Sequence, residues 1–564
     1  MDRSRCNVAW HWSQLTALDA TLYPALVSSV LCWLAFPPVG WAVMVWFAPI
    51  GWLALVAREK LAGRHPYRKL WLAGFVFWLL TVHWIRLPHA ANYLAWVSLA
   101  GYLGVYLPCF VALSRIGVHR LRLPLWLVAP VVWTGLDWLR GNLMTGFLMG
   151  SLAHTQVGFP IVIQIASLCG EYGVTFLIVL VASCLTQSFL SCETRFWHIF
   201  FDPRCSLRLL IPAALAVGMA LMYGGVMLIQ HDSLPSMTIE QRGPRIALIQ
   251  GNTLADWKGD PDKQQSIMQE YARLSNEAVE QSRQRDGRNV DLFIWPETAY
   301  RYPLFSVAEN YQPPAARFPE LNLNAAQRDL AELVRRTESA ILTGIDRVNL
   351  FPDEMGQPDY EQFNSSVLIN RQGAIVGTYD KMHLVIMGEY VPFTRWFPLL
   401  KQLTPISGLA TAGQHPQSLE FDGLVYCPNI CYETAVPHLI RRHVTELAES
   451  GAAPDVLVNL TNDAWFWGSS ELEMHLACGI FRAVEMRRPL VIAANGGLSA
   501  HVDSYGNVQQ VTPRQQTATL LVDLPGRASN NLTFYAVHGD WWFAGLCVIC
   551  CLALAITGRR SQGK

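Results

Sequence analysis

The stretch Gly423-Leu-Val-Tyr-Cys-Pro-Asn-Ile-Cys-Tyr-Glu433 is an apolar run that ends at a cysteine. Short apolar runs bounded by turn residues predict buried strands, and two such runs joined by a short turn predict a hairpin. Further runs predict strands at 245–250, 290–295, 340–344, 456–460 and 490–494, and a hairpin at 365–370 and 374–379. Between them, helical patterns occupy 262–284, 324–337, 434–449 and 471–487. This alternation predicts a layered α/β domain with some antiparallel pairing.

Three reactive side chains lie at or just past the ends of predicted strands. They are Glu297 in Trp295-Pro-Glu-Thr298, Lys381 in Tyr379-Asp-Lys-Met-His383, and Cys431 itself. Open α/β sheets place their sites at strand ends. A carboxylate can take a thiol proton, and an ammonium group can stabilise the oxyanion of a tetrahedral intermediate. The three residues together therefore indicate a nucleophilic cysteine site.

Each of these residues also has an ordinary alternative. A cysteine in an apolar strand is often buried packing, an acid after Trp-Pro can be solvated, and a lysine after a hairpin is usually a surface charge. A disulfide between Cys427 and Cys431 would need a tight turn. A zinc site would need four ligands, and no second Cys or His pair stands at a fitting separation. The residues alone leave these alternatives open.

Composition indicates that part of the chain lies in lipid. Of 564 residues 52% are apolar and only 15% are charged, whereas soluble domains average about 25% charged. A membrane span needs about 20 mostly apolar residues. Candidate spans lie at 21–36, 41–57, 70–86, 92–114, 123–139, 168–190, 208–229 and 541–557. The formal charge is zero and no basic cluster occurs, which argues against a nucleic-acid partner.

These spans divide the chain into a seven-span domain at 1–230, a polar domain at 244–525, and a final span with a tail at 540–564. Every second connection is basic, and Lys and Arg are retained in cytoplasmic loops. The basic positions are Arg3, Arg5, Arg58, Lys60, Arg64, Arg68, Lys69, Arg115, Arg120, Arg122, Arg195, Arg204, Arg208, Arg559, Arg560 and Lys564. Seven crossings then place the polar domain outside the cytoplasm.

Five motifs follow one another along the polar domain. They are Trp295-Pro-Glu-Thr-Ala299, Tyr379-Asp-Lys-Met-His-Leu384, Gly388-Glu-Tyr-Val-Pro392, Ile430-Cys-Tyr-Glu433 and Thr461-Asn-Asp-Ala-Trp-Phe466. In this order they resemble the nitrilase (carbon-nitrogen hydrolase) superfamily and, more closely, the apolipoprotein N-acyltransferase family. The resemblance covers almost the whole chain. It implies a polytopic α-helical membrane domain plus an external α/β nitrilase-like domain, built as an α-β-β-α sandwich.

The resemblance also implies a role for each site residue. Cys431 would be the nucleophile, Glu297 the general base, and Lys381 the group that stabilises the tetrahedral intermediate. Supporting or substrate-binding roles fall on four further positions: Glu389, Tyr432, Glu433 and Trp257. The first would be an acid near the triad, the next two would form the wall beside the thiol, and the tryptophan would lie near the substrate entrance. No metal or organic cofactor is implied.

The implied reaction moves a fatty acyl chain from a membrane phospholipid, through a cysteine thioester, to the α-amine of a diacylglyceryl apolipoprotein. Both substrates are anchored in one bilayer, so a membrane tether would confine all three reactants to a thin layer. The implied location is the bacterial cytoplasmic (inner) membrane, multi-pass, with the catalytic domain on the periplasmic side. We expect a monomer. The alternatives are a membrane-anchored amidase with the same triad, and a membrane scaffold or transporter that only binds.

Some segments depart from the family pattern or await a role. Trp467-Gly-Ser-Ser-Glu-Leu-Glu-Met-His475 stands where the family usually runs to a Gln-His pair, and Asn495-Gly-Gly497 stands where Asn-Thr-Gly is common. Residues 301–323 are expected to form an irregular loop that gates the site. The aromatic segment 393–400 is expected either to dip into the membrane or to pack in the core, because Trp and Phe favour the membrane boundary.

Overall fold

The computed structural model describes residues 19–193, 203–232, 242–255, 260–308, 311–312, 324–386, 388–390, 410–527 and 531–560. Two predicted features, Trp257 and the aromatic segment 393–400, lie outside these ranges. Most of the predicted gating loop 301–323 lies outside them as well.

The N-terminal part and the C-terminal end are helical. The α-helices there are α1 Leu22–Leu34, α2 Ile50–Ala57, α3 Pro66–Thr81, α4 Asn92–Gly104, α5 Tyr106–Arg115, α6 Leu125–Asn142, α7 Pro160–Ile163, α8 Ala166–Cys169, α9 Glu171–Glu193 and α10 Pro203–Asp232, with α15 Phe534–His538 and α16 Leu546–Arg560 at the C-terminal end. Among the described residues, four helical stretches are long and apolar enough to cross a bilayer: Asn92–Arg120, Glu171–Leu190, Leu207–His231 and Trp541–Arg559.

Each of the eight predicted spans falls on a helical region, but the other four are shorter. Leu22–Leu34 and Ala42–Ala57 are apolar helices below the spanning length, and α3 and α6 cover the remaining two regions. Helix α10 exposes apolar residues along its length, such as Leu215 and Met222, as a surface facing lipid would. The membrane character of this part is confirmed, and the count of eight crossings stays a prediction.

The polar domain consists of two stacked sheets. The first has the order β13-β1-β2-β4-β5-β6 with β3 beside β4, and the second has the order β12-β11-β10-β9-β8-β7. The strands are β1 Arg242–Gln250, β2 Leu292–Ile294, β3 Tyr300–Val307, β4 Ala340–Pro352, β5 Pro358–Ile369, β6 Ile375–Asp380, β7 Leu419–Phe421, β8 Leu424–Ile430, β9 Val456–Asn462, β10 Leu490–Asn495, β11 Ala500–Val502, β12 Val508–Val511 and β13 Ala518–Pro525. All six predicted strands and the predicted hairpin are present.

Helices cover the outer face of each sheet. Their bounds are α11 Pro261–Asp286, α12 Ala325–Thr337, α13 Pro437–Glu449 and α14 Glu471–Met486. Alternate residues of a strand face opposite sides of a sheet. In β1, Ile246 and Leu248 pack between the two sheets, while Ala247 and Ile249 pack against the outer helices. The predicted α-β-β-α sandwich is therefore confirmed.

The predicted irregular loop at 301–323 is wrong over its first seven residues. Strand β3 continues to Val307 and pairs in parallel with β4, with a register shift between Tyr300 and Leu304. Pro303 falls in the interval of that shift. A proline has no backbone N–H to donate to a neighbouring strand and is found at strand edges and irregularities. Its presence in this run is the reason that the sequence predicted a loop where the structure has a strand.

The sandwich packs directly on the helical part through a buried group that we call the junction cluster, formed by His154, Glu171, Arg482 and Glu485. Arg482 Nη2 donates to Glu171 Oε2 at 2.7 Å, and Arg482 Nε lies 2.9 Å from Glu485 Oε2. The backbone N–H of Glu171 donates to Glu485 Oε1 at 2.8 Å. A carboxylate of the sandwich thus satisfies a free N–H at the start of α9, where a negative charge is favourable.

Candidate active site

Cys431 lies at the tip of a sharp turn between β8 and the short helix Cys431–Ala435. Its φ is +52°, a left-handed conformation that residues with a side chain seldom adopt. Its carbonyl oxygen accepts hydrogen bonds from Asn459 Nδ2 at 3.1 Å and from His475 Nε2 at 3.0 Å. Strained residues of this kind collect at functional sites. Cys427 and Cys431 are both free thiols, so the disulfide alternative is wrong.

The active-site cluster, which we define as Glu297, Asn364, Lys381 and Glu389, lies beside this turn. Lys381 Nζ lies 2.8 Å from Glu389 Oε1 and 3.4 Å from Glu297 Oε1. Asn364 Nδ2 donates to both carboxylates, at 2.7 Å to Glu297 and 3.1 Å to Glu389. The lysine is therefore closer to the supporting acid than to the predicted base. Its side chain is only 1% exposed, so its charge depends on these two partners.

Glu297 is fixed by its backbone surroundings as well as by Lys381. The backbone N–H of Asn462, at the end of β9, donates to Glu297 Oε2 at 3.0 Å. The turn that carries Glu297 packs closely on Gly344, where a Cβ atom would lie 2.6 Å from the Cα of Glu297. Only a glycine permits this approach. Both oxygens of Glu297 are thus held in place by donors from three different strands or strand ends.

The charges of these groups follow from burial and from each other. Burial raises the pKa of the Cys431 thiol, and the nearby Glu297 raises it further, while Lys381 opposes them. Burial alone would lower the pKa of Lys381, but Glu389, Glu297 and Cys431 outweigh it and hold that pKa well above its usual value. Burial would raise the pKa of Glu389, but Lys381 lowers it below its usual value. The resting site therefore contains a protonated thiol beside an ammonium ion and a carboxylate.

Glu433 ties the cysteine turn to the lysine segment. Its Oε2 accepts from the backbone N–H of Ile430 at 2.7 Å, and its Oε1 accepts from the backbone N–H of Met382 at 2.7 Å and of His383 at 2.9 Å. Tyr379 Oη donates to both oxygens. All these contacts come from donors, as an ionised carboxylate requires. The fully buried Glu433 side chain thus holds the cysteine turn against the lysine segment.

Tyr432 links the cysteine turn to the helical part. Its hydroxyl donates to the carbonyl oxygen of Gly146 at 3.0 Å, and its ring lies over Phe147 with centroids 6.4 Å apart. A second contact of this kind joins Phe466, beyond the end of β9, to Trp84 at 5.1 Å between centroids. The predicted nucleophile therefore lies at the boundary between the sandwich and the membrane part.

Two groups in this region were not identified from the sequence. Asn364 bridges both carboxylates, but an asparagine inside a strand has no distinguishing sequence pattern. Asp463, Glu471 and His475 form a buried set whose ligand atoms lie within 4.8 Å of one another, the one such set of metal-ligand type among the described residues. Nε2 of His475 contacts the carbonyl oxygen of Cys431 and its Nδ1 faces Asp463, so the imidazole joins Asp463 to the cysteine turn.

Comparison with known proteins agrees with this architecture. The carbon-nitrogen hydrolase profile matches residues 245–529, and the profile of the apolipoprotein N-acyltransferase N-terminal domain matches residues 28–184. A solved amidase from Nesterenkonia sp. is 19% identical with a TM-score of 0.32, covering 52% of this chain and 94% of the amidase. The two-sheet sandwich and the profile match define a nitrilase-fold domain joined to a membrane domain.

Two relatives match nearly the full length. The apolipoprotein N-acyltransferase of Rhodopirellula baltica is 30% identical over 93% of this chain and 95% of its own, and that of Geobacter metallireducens is 30% identical over 95% of each. The chain belongs to the apolipoprotein N-acyltransferase family.

Proposed function

We propose that this protein transfers a fatty acyl chain from a membrane phospholipid to the α-amine of the N-terminal diacylglyceryl cysteine of apolipoproteins, through a thioester on Cys431. One observation carries the proposal. A protonated, strained cysteine lies beside a buried carboxylate and ammonium pair, and the next residue, Tyr432, bonds directly to the membrane part. A lipid ester can reach such a thiol without leaving the bilayer boundary.

The first half-reaction forms the thioester. Because the thiol is protonated at rest, a base must remove its proton during the attack, and Glu297 takes it as sulfur bonds to the ester carbonyl carbon. Lys381 stabilises the oxyanion that results. When the intermediate collapses, the ester C–O bond breaks and the proton on Glu297 passes to the departing glycerol oxygen. A lysophospholipid leaves, and the acyl chain stays on Cys431.

The second half-reaction reverses these roles. The acceptor amine attacks the thioester carbonyl, the C–N bond forms and the C–S bond breaks. Glu297 takes a proton from the amine and returns it to the sulfur of Cys431. Glu389 keeps Lys381 charged throughout, because it is the nearer of its two partners. A covalent intermediate of this kind gives ping-pong kinetics.

The proposal places the sandwich, residues 244–525, on the periplasmic side of the inner membrane. Cations at the far end of the helical part support this orientation. Arg115 Nη2 donates to the carbonyl of Glu59 at 2.9 Å, and Arg120 Nη1 donates to the carbonyl of Gly558 at 2.9 Å. Their clustering at one end agrees with retention of Lys and Arg in the cytoplasm. Protease added to intact spheroplasts should cut the sandwich, and protection until lysis would contradict this placement.

The direct test is intact mass spectrometry of the purified protein after incubation with phospholipid vesicles and no acceptor. We expect one fatty-acyl adduct that hydroxylamine removes and that peptide mapping assigns to Cys431. The Cys431→Ala variant should carry none, and Cys427→Ala, four residues earlier in β8, should carry the wild-type amount. Adding a diacylated lipopeptide should then discharge the adduct and yield an amide. A folded wild-type protein without an adduct would favour a small-amide hydrolase.

A further inference from the structure

The carbonyl oxygen of Cys431 is held by a network that the reaction steps above do not use. His475 comes from α14, the outer helix of the second sheet, and its Nε2 reaches that oxygen at 3.0 Å. Its Nδ1 lies 3.5 Å from Asp463 Oδ1, which itself accepts from Thr461 Oγ1 at 2.6 Å. The His475 and Asp463 side chains are each only 4% exposed. A buried chain of contacts therefore runs from β9 through an imidazole to the nucleophile.

The strained conformation of Cys431 explains why such a chain is needed. A positive φ at a residue with a side chain persists only when the surroundings fix it. Two side chains share this task at the carbonyl, and one of them, Asn459, is also occupied by Asn429 Oδ1 at 2.7 Å. His475 is the contact on the side of the outer helix. Loss of its donor would release the turn toward an unstrained backbone and move the sulfur.

We infer that His475, oriented by Asp463, is a positioning residue that holds the Cys431 turn in its reactive conformation for both half-reactions. This inference rests on the proposed role of Cys431 as the nucleophile. His475 contacts a backbone carbonyl and takes no proton from substrate, so it acts through Cys431. Loss of His475 should therefore slow the chemical step and leave phospholipid binding unchanged.

The charge of His475 makes the contact independent of tautomer. Burial lowers the pKa of this imidazole, but its hydrogen bond and charge interaction with Asp463, aided by Glu471 and Cys478, raise that pKa to about 10. Both ring nitrogens therefore carry protons at neutral pH, and Nε2 is always a donor to Cys431. Burial and the nearby Asp463 raise the pKa of Glu471 well above its usual value, while the charge of His475 lowers it.

The experiment measures the single-turnover rate of thioester formation by mass spectrometry, at several mole fractions of phospholipid. We expect His475→Ala to lower the maximal rate by about 10-fold to 100-fold, the size found when a partner that orients a metal ligand is removed. The mole fraction of phospholipid that gives half of the maximal rate should not change. His475→Gln, whose amide can still donate, should recover most of the rate. The control His501→Gln alters a partly buried histidine on β11, away from the site, and should match the wild type.

A pH profile separates positioning from a general loss of structure. In the wild type, the effect of His475 on the rate of thioester formation should not change from pH 6 to pH 8.5, because the imidazole remains charged. In Asp463→Asn the pKa of His475 falls, and the neutral ring above the new value carries one proton on either nitrogen. The rate should decline as pH rises through that value, because part of the rings then present an unprotonated Nε2 to the carbonyl oxygen. This profile stays informative if His475→Ala does not fold.

Three outcomes would overturn the inference. They are a wild-type rate in folded His475→Ala, equal rate losses in the Ala and Gln variants with equal losses of melting temperature, and a wild-type rate at every pH from 6 to 8.5 in folded Asp463→Asn. If the wild-type protein itself forms no thioester, the proposed function fails instead, so the two failures are distinguishable.

Discussion

The active-site cluster and the junction cluster both contain buried side chains of opposite charge, but the acidic side chains of the active-site cluster are more exposed to solvent. In the junction, the side chains of Glu171, Arg482 and Glu485 are between 0% and 2% exposed. In the active-site cluster, Glu297 is 9% and Glu389 is 19% exposed, and the neighbouring cysteine has a strained backbone. Buried charge alone therefore does not identify a reactive site. An opening and a strained nucleophile beside the charges distinguish the two.

The sharpest way to test this difference is to remove one charge from each cluster without changing side-chain shape greatly. Glu297→Gln should lower thioester formation by about 10³-fold, within the range for loss of a general base, while the melting temperature changes little. The oxygen of the new amide can still accept from the backbone N–H of Asn462. The rate is measured by mass spectrometry, with Glu354→Gln, an exposed acid of the same domain, as control. A rate within 10-fold of the wild type would remove Glu297 from the role of base.

The junction cluster should respond in the opposite way. Arg482→Met leaves Glu485 buried without its cation and leaves Glu171 with His154, 3.2 Å away, as its remaining basic partner. Breaking such a group costs about 3 to 5 kcal/mol of unfolding free energy. We expect a clearly lower melting temperature in detergent, measured by tryptophan fluorescence. The rate of thioester formation per folded molecule should be that of the wild type. The exposed Arg336→Met is the matched control. An unchanged melting temperature with a reduced rate would reverse the distinction between the clusters.

The contributions of Glu389 and Lys381 to stability depend on pH in opposite directions. The pKa of Glu389 is lowered, so its contribution is present above the unfolded value of about 4.3 and is lost as pH falls through the folded value. The pKa of Lys381 is raised, so its contribution is complete below about 10.4 and is lost as pH rises through the folded value. Both contributions are therefore constant between about pH 5 and pH 9.

Glu389→Gln should accordingly be less stable than the wild type by about 2 kcal/mol, the usual size for a hydrogen bond to a charged group. The difference should be constant from pH 5.5 to pH 9 and should shrink below pH of about 4.3. Chemical unfolding at several pH values measures it. A difference that grows as pH falls would contradict the assigned ion pair between Glu389 and Lys381.

The smallest effect is expected where the two regions meet. Tyr432→Phe removes one hydrogen bond, to the carbonyl of Gly146, and should cost about 1 kcal/mol of unfolding free energy. Thioester formation should fall by only a few fold, because the ring keeps its contact with Phe147. A rate loss as large as that of Glu297→Gln would mean that the hydroxyl takes part in the chemistry.

Local patterns predicted much of the sandwich. Strands such as β1 and β9 and the hairpin of β5 and β6 have continuous apolar runs, and their positions are as predicted. Five strands were not predicted: β3, β7, β11, β12 and β13. Of these, β3 contains Pro303 and β12 is exposed at all four residues. A strand whose stability comes from pairing at an edge has little apolar pattern of its own.

The amino-acid sequence alone predicted the division into a membrane part and a polar part, and the placement of the acid, amine and thiol at strand ends. It also identified the family to which these motifs belong. The tertiary structure decided which groups meet: Lys381 closer to Glu389 than to Glu297, Asn364 between the two acids, and His475 on the carbonyl of Cys431. Except for Lys381 and Glu389, which are eight positions apart, these contacts join residues tens of positions apart, and their distances depend on strand register and helix packing. Local sequence periodicity carries no information about either.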